Sequence, residues 1–221
     1  MTSIYYKIKD IFNFFMNICK YIITFIISFF FVFFLQDNFE FNDDIGFSLA
    51  LILSISLFIL LLKKENKSPI EYLKIHKITL KNTLLLILFA FILVGFKLTM
   101  ANILIKYIPN NVTSKTQLYF WSILSLVVIA PICEEICFRG ILLQKLTELM
   151  PSFLSIIIQS FIFGIIHGAF SGHIIQSITS GLSGVVYSLI YKYKNNLTDS
   201  ILLHSFHNSI LVILNLLFPS L

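Results

Sequence analysis

Two adjacent glutamates, Glu134 and Glu135, sit in the segment APICEEICFRG with Arg139 four residues after the second. The chain holds eleven acidic residues, and the other nine fall in tails or polar loops. Carboxylates against an apolar span are costly unless they are paired or useful. On a helix, Glu135 and Arg139 share a face and can form an i,i+4 ion pair. Glu134 lies about 100° around from Glu135 and is left without that partner. The next apolar segment supplies His167 in FIFGIIHG, with Phe163 one turn before it. The last supplies His204 and Asn208 in ILLHSFHNSI, again four apart. A glutamate beside a histidine is a candidate proton-transfer pair. Glu134, His167, His204 and Asn208 cannot be satisfied by lipid and are expected to converge on one protected cavity.

The elements that must position them are membrane helices. Of 221 residues, 57% are hydrophobic and only 12% charged, against about 25% charged in a soluble domain. So few charges cannot build a water-facing surface, and open strands in lipid would leave backbone groups unpaired. The fold class is therefore all-α, a polytopic transmembrane helix bundle with about seven spans. These are Tyr21–Leu35 (with a possible backward extension through Ile11–Ile18), Ile45–Leu62, Leu84–Met100, Leu118–Ile132, Phe153–Ile166, Ile174–Tyr191 and Ser200–Phe218. Lys7, Lys9 and Lys20 precede the first span as a signal peptide's would, but no small-residue cleavage pattern follows, so a retained helix is expected.

Thirteen basic residues, Lys7, Lys9, Lys20, Lys63, Lys64, Lys67, Lys74, Lys77, Lys81, Arg139, Lys145, Lys192 and Lys194, fall on one side of this topology. Only Lys106 and Lys115 fall on the other, beside the acidic loop of Asp37, Glu40, Asp43 and Asp44. The imbalance puts the N-terminus in the cytoplasm. Lys97 is expected to snorkel from the outer end of the third span. The net charge of +5 is spread between apolar runs rather than along one stripe, which excludes nucleic acid as a partner. The basic loop 63–83 is expected to form an interfacial helix from Ser68-Pro69, with Ile70, Leu73 and His76 or Lys77 on successive turns. His76 and His173 are read as solvated, His207 as pointing off the His204–Asn208 face, and Cys19, Cys133 and Cys137 as small buried side chains. Gly164 and Gly168, with Ser177, Ser180, Gly181 and Gly184, predict close helix approach.

Glu134-Glu135-x-x-x-Arg139, Phe163-x-x-x-His167 and His204-x-x-x-Asn208, in that order on successive apolar segments, resemble the motif set of the CPBP superfamily. That superfamily contains the type II CAAX prenyl proteases and the bacterial abortive-infection or bacteriocin-processing proteases. The resemblance covers about Leu118 to Phe218, which divides the chain into N-terminal helices (1–117) and a catalytic core (118–221). It implies an intramembrane endopeptidase in which Glu134 and His167 activate a water, His204 and Asn208 donate to the oxyanion, and Glu135 and Arg139 support the site. Substrates would be peptides or lipidated protein tails near the cytoplasmic leaflet, in contact with membrane lipids. The Lys-, Asn-, Ile- and Phe-heavy composition fits the cell membrane of an AT-rich bacterium and makes a prenylated substrate a poorer fit.

Glu134, His167 and His204 could instead hold a divalent metal such as zinc, although no H-E-x-x-H helix is present. A metal-free glutamate mechanism is the expectation. Two non-proteolytic readings compete, a bacteriocin-immunity or scaffold protein and a proton-coupled carrier. Complete motifs count against the first, and the lack of internal duplication counts against the second. One geometric tension stands in the sequence. Glu134 lies near the end of a span that closes at Ile132, while His167 lies deep in its own, so straight full-length helices would not bring them together.

Overall fold

The computed structural model describes residues 2–39, 43–108, 119–171 and 173–218. Glu40, Lys115 and the expected span start at Leu118 lie outside them. The described residues form an all-helical bundle with no strand: α1 (Thr2–Phe39), α2 (Asp43–Lys64), a single turn α3 (Pro69–Tyr72), α4 (Leu80–Ile105), a long broken run, α8 (Ser152–Ser171), α9 (Ile174–Lys194) and α10 (Leu197–Leu217). The broken run comprises α5 (Phe120–Leu124), a π-helical stretch 125–129, α6 (Ala130–Glu135), a second π-helical stretch 136–143 and α7 (Gln144–Leu149).

Among the described residues, five helices are long and apolar enough to cross a membrane: Cys19–Gln36 within α1, then Ile45–Lys64, Leu80–Ile105, Ile174–Lys194 and Leu197–Leu217. The shorter apolar helix α8 and the broken run bring the bundle to about seven spans. The distribution of side chains suits lipid. Phe30, Phe34, Phe91 and Phe153 face outward, while Glu135, Arg139, Gln159 and His207 are fully buried. Water would demand the reverse arrangement. The chain is thus a multi-pass membrane protein. The possible backward extension of the first span is realised as one continuous helix of 38 residues.

Three apolar clusters hold the bundle, and each mixes residues from both sides of position 117. Tyr21, Phe58 and Leu62 pack with Ile136, Leu143, Tyr191 and Leu197. Phe29, Val32, Ala50 and Leu51 pack with Ala130 and Cys133. Leu86, Ala90 and Leu93 pack with Phe163, Tyr187 and Leu203. The division at 117 is one of motif content, because the packing runs across it.

Close approach of α8 to α9 depends on Gly164. A Cβ there would lie 2.5 Å from the Ser177 carbonyl oxygen and 3.0 Å from Gly181 Cα, both backbone atoms that cannot swing aside. Gly164→Ala is therefore expected to destabilise the bundle by about 1–3 kcal/mol. Thermal unfolding in detergent measures this, and an unchanged midpoint would show that the two helices are not held at this spacing.

The basic loop does not form the expected interfacial helix. Lys74 adopts the left-handed backbone conformation (φ 56°), which ends α3 after one turn. Leu73 is buried against Gly140 and Leu197 at the end of the bundle. The Lys74 carbonyl accepts the Leu197 N–H at 2.9 Å, and the Asn196 side chain caps α10 while also accepting from the His76 N–H at 3.1 Å. Tethering to the α9–α10 turn thus replaces amphipathic helix formation. On the same side, Glu65 bonds Lys20 and Lys67. Desolvation works to raise the Glu65 carboxyl, but the two lysine hydrogen bonds outweigh it and hold it below the usual carboxylate range.

Candidate active site

The site begins with Pro131. Its ring nitrogen has no hydrogen to donate. The preceding stretch takes the wider π register, in which the Ala130 N–H bonds the Ser125 carbonyl. The Leu126 carbonyl thereby loses Ala130 as a donor, and in the same register Pro131 cannot replace it. The vacancy is filled from α10: Asn208 Nδ2 donates to the Leu126 carbonyl at 2.9 Å. A similar repair follows Gly140, whose carbonyl accepts from the Gln144 side chain at 2.7 Å. Both π-helical stretches flank α6, the six residues that carry the glutamates.

The geometric tension in the sequence is resolved because the helical run does not end at Ile132. It continues to Leu149, then turns at Met150-Pro151 into α8. Glu134 lies fifteen residues before Leu149, and His167 lies fifteen residues after Ser152. At 1.5 Å per residue both stand ~22 Å from the turn, one on each arm of a helical hairpin. His167 Nε2 is 3.5 Å from Glu134 Oε2, and His204 Nε2 is 3.9 Å from the same oxygen.

Around this centre lies a buried polar network. Arg139 Nη1 donates to Glu135 Oε1 at 2.9 Å, and both side chains are fully sealed from solvent. Arg139 Nη2 donates to the Gly184 carbonyl at 2.9 Å, and the guanidinium lies 4.6 Å from the Phe163 ring centroid. Gly184 permits this approach, since a Cβ would stand 3.3 Å from Nη2. Ser200 Oγ donates to Glu135 Oε2 at 2.6 Å, and His204 Nδ1 lies 3.0 Å from Glu135 Oε1. Ser188 bonds Gln159 on the far side of the guanidinium. Arg139 was counted among the cytoplasmic charges; it is an interior residue, buried because its carboxylate, carbonyl and aromatic partners replace water. Sequence reasoning missed Ser200, Ser188 and Gln159. Ser200 had a usable signal, standing one turn before His204 on the same face.

Hydrogen-bond inventory fixes the tautomers. His167 Nδ1 lies 2.9 Å from the Phe163 carbonyl, which only accepts, so Nδ1 carries the hydrogen. His204 Nδ1 faces the Glu135 carboxylate and also carries the hydrogen. Each neutral ring therefore turns an unprotonated Nε2 toward Glu134 Oε2, which is buried and without a hydrogen-bond partner. With both rings neutral, three acceptors converge with no donor among them. A water molecule, which brings two hydrogens, is chemically suited to that position. In the neutral His204 ring the one N–H is directed to Glu135. Asn208 has likewise committed one of its two amide hydrogens, to Leu126, and keeps one.

His207, expected to point off the His204–Asn208 face, is buried and bonds the Tyr187 hydroxyl, while the Tyr187 ring stacks on His204 at 4.5 Å. Cys133 is buried and Cys137 partly so, and no thiol forms a disulfide among the described residues. Among those residues no trio of His, Cys, Asp or Glu is spaced to hold a metal ion.

With this geometry in hand, comparison with known proteins is informative. Residues 116–210 match the family model described as type II CAAX prenyl endopeptidase Rce1-like. A protein of Mycoplasma capricolum subsp. capricolum, described only as uncharacterized, is 36% identical over 110 residues. That stretch is 48% of this chain and 31% of the relative, so the chain spans under a third of that protein's length. No solved structure matches the chain.

Proposed function

We propose, taking residues 116–210 as an Rce1-like core, that the protein is an intramembrane endopeptidase whose attacking water is held by Glu134 and His167. The observation that carries this reading is the convergence of three hydrogen-bond acceptors on one sheltered point. Glu134 takes a proton as the water oxygen bonds to the substrate carbonyl carbon. His167, through its Nε2 lone pair, orients the water and then relays the proton to the leaving amine as the C–N bond breaks. His204 acts as the third acceptor, its ring held by Glu135 and Tyr187. The remaining Asn208 N–H is offered to the oxyanion.

Substrates are peptides or lipidated protein tails near the cytoplasmic leaflet, in contact with membrane lipids. The mycoplasma match supports a bacterial cell membrane, and the lysine distribution supports a cytoplasmic N-terminus even without Arg139.

Purified protein incubated with a membrane-peptide library tests the reading. Cleavage by the wild type, insensitive to chelators and reduced about 10²-fold or more in His167→Ala, is expected. Wild-type protein that binds peptides but cleaves none would instead indicate an immunity or scaffold protein. Activity lost to a chelator and restored by zinc would replace the metal-free mechanism with a metal-dependent one.

A further inference from the structure

Lys97 was expected to snorkel outward from α4. Lys97 is partly buried, one turn beyond Leu93 and Val94, and continues the stripe Leu86–Ala90–Leu93 that packs on Phe163, Tyr187 and Leu203. Side chains on a helix lean toward its N-terminus, so the lysine stem is directed back along this stripe, away from the nearer end of α4 at Ile105. On the neighbouring helices His167 stands one turn after Phe163 and His207 one turn after Leu203, in the layer that Lys97 continues on α4, and the ammonium is within electrostatic reach of both and of Glu134. It makes no hydrogen bond or close ion pair among the described residues. A cation in an apolar helix without a bonded partner is costly to retain.

The chamber, meanwhile, is short of donors. Neutral His204 has given its N–H to Glu135, His167 has given its own to Phe163, Asn208 keeps one, and the Arg139 guanidinium is committed to Glu135 and Gly184. As Glu134 takes the proton of the attacking water, the negative charge passes from its carboxylate to the substrate carbonyl oxygen, which needs more than one amide hydrogen.

We propose that Lys97 is a further catalytic residue, whose ammonium donates to the oxyanion formed when water adds to the substrate carbonyl. In that step the water oxygen bonds to the carbonyl carbon, the carbonyl π pair moves onto oxygen, and Lys97 and Asn208 hold that oxygen until the C–N bond breaks. The inference rests on the endopeptidase reading and is separable from it.

Lys97→Met and Lys97→Arg are compared with wild type and Glu134→Gln in kinetics on one cleavable peptide, made with a free and with an amidated C-terminus. Lys97→Met is expected to lower kcat about 10²-fold or more with little change in KM, equally for both peptides. Lys97→Arg retains part of the activity, and the unfolding midpoint of Lys97→Met is not lowered, because a charge without a bonded partner has been removed from an apolar helix. Unchanged kcat in Lys97→Met, with Glu134→Gln inactive, overturns the Lys97 role alone. A KM defect confined to the free-carboxylate peptide also overturns it, and reassigns the lysine to binding the substrate terminus. Wild-type protein without peptidase activity removes the endopeptidase reading and this role together.

Discussion

Glu134→Gln is expected to reduce peptide hydrolysis by about 10³-fold or more while leaving the bundle as stable as the wild type, or slightly more so. General-base catalysis contributes typically 10²–10⁴-fold, and glutamine has no basic oxygen to receive the proton of the attacking water. The stability half of the expectation follows from the acceptor inventory. With both imidazoles neutral, Glu134 Oε2 and the Nε2 atoms of His167 and His204 meet without a donor. A glutamine amide brings two hydrogens into that gap without changing the side-chain shape. Kinetics on a cleavable peptide and thermal unfolding in the same detergent measure both halves. Hydrolysis retained within about tenfold of wild type would remove Glu134 from the mechanism.

The second large effect is on folding. Arg139→Met should destabilise the protein by about 3–5 kcal/mol, since it leaves the Glu135 carboxylate buried without its cation. Replacing both partners, Glu135→Gln with Arg139→Met, should recover much of that loss, because no unpaired charge then remains. The double variant should nonetheless be impaired in hydrolysis, because His204 has lost the carboxylate that orients it. Unfolding midpoints of the two single variants and the double one complete the cycle. A double variant no more stable than Arg139→Met would mean that the guanidinium acts mainly through Gly184, Phe163 and Tyr187.

Much of the bundle was legible because lipid imposes a simple rule: segments that cross it must be apolar and helical. The pairing of Glu135 with Arg139 was equally legible, since i,i+4 spacing is local geometry. What escaped the sequence was the length of the fourth helix. Arg139, Lys145 and Glu148 look like the charged flank of a span that stops at Ile132. In the structure Arg139 is buried on Glu135, and Lys145 pairs with Glu148, so the helix runs on. The placement of Asn208 was illegible for a different reason. It depends on a carbonyl orphaned by the π register before Pro131, and no spacing rule reports that. Lys97 escaped because a lysine near a helix end reads as snorkelling; only the packing of α4 on α8, α9 and α10 shows that it continues the stripe facing the site.

The hairpin centred on Met150-Pro151 also sets a rule for how this protein can change over time. One residue inserted or removed between Glu134 and the turn would rotate that glutamate by about 100° and shift it by about 1.5 Å along its arm. An insertion of two whole turns would restore the rotation but leave the carboxylate about 10 Å from the imidazole. Within the stretch 134–167, side chains can drift, but length changes are tolerated only when the two arms lengthen or shorten together.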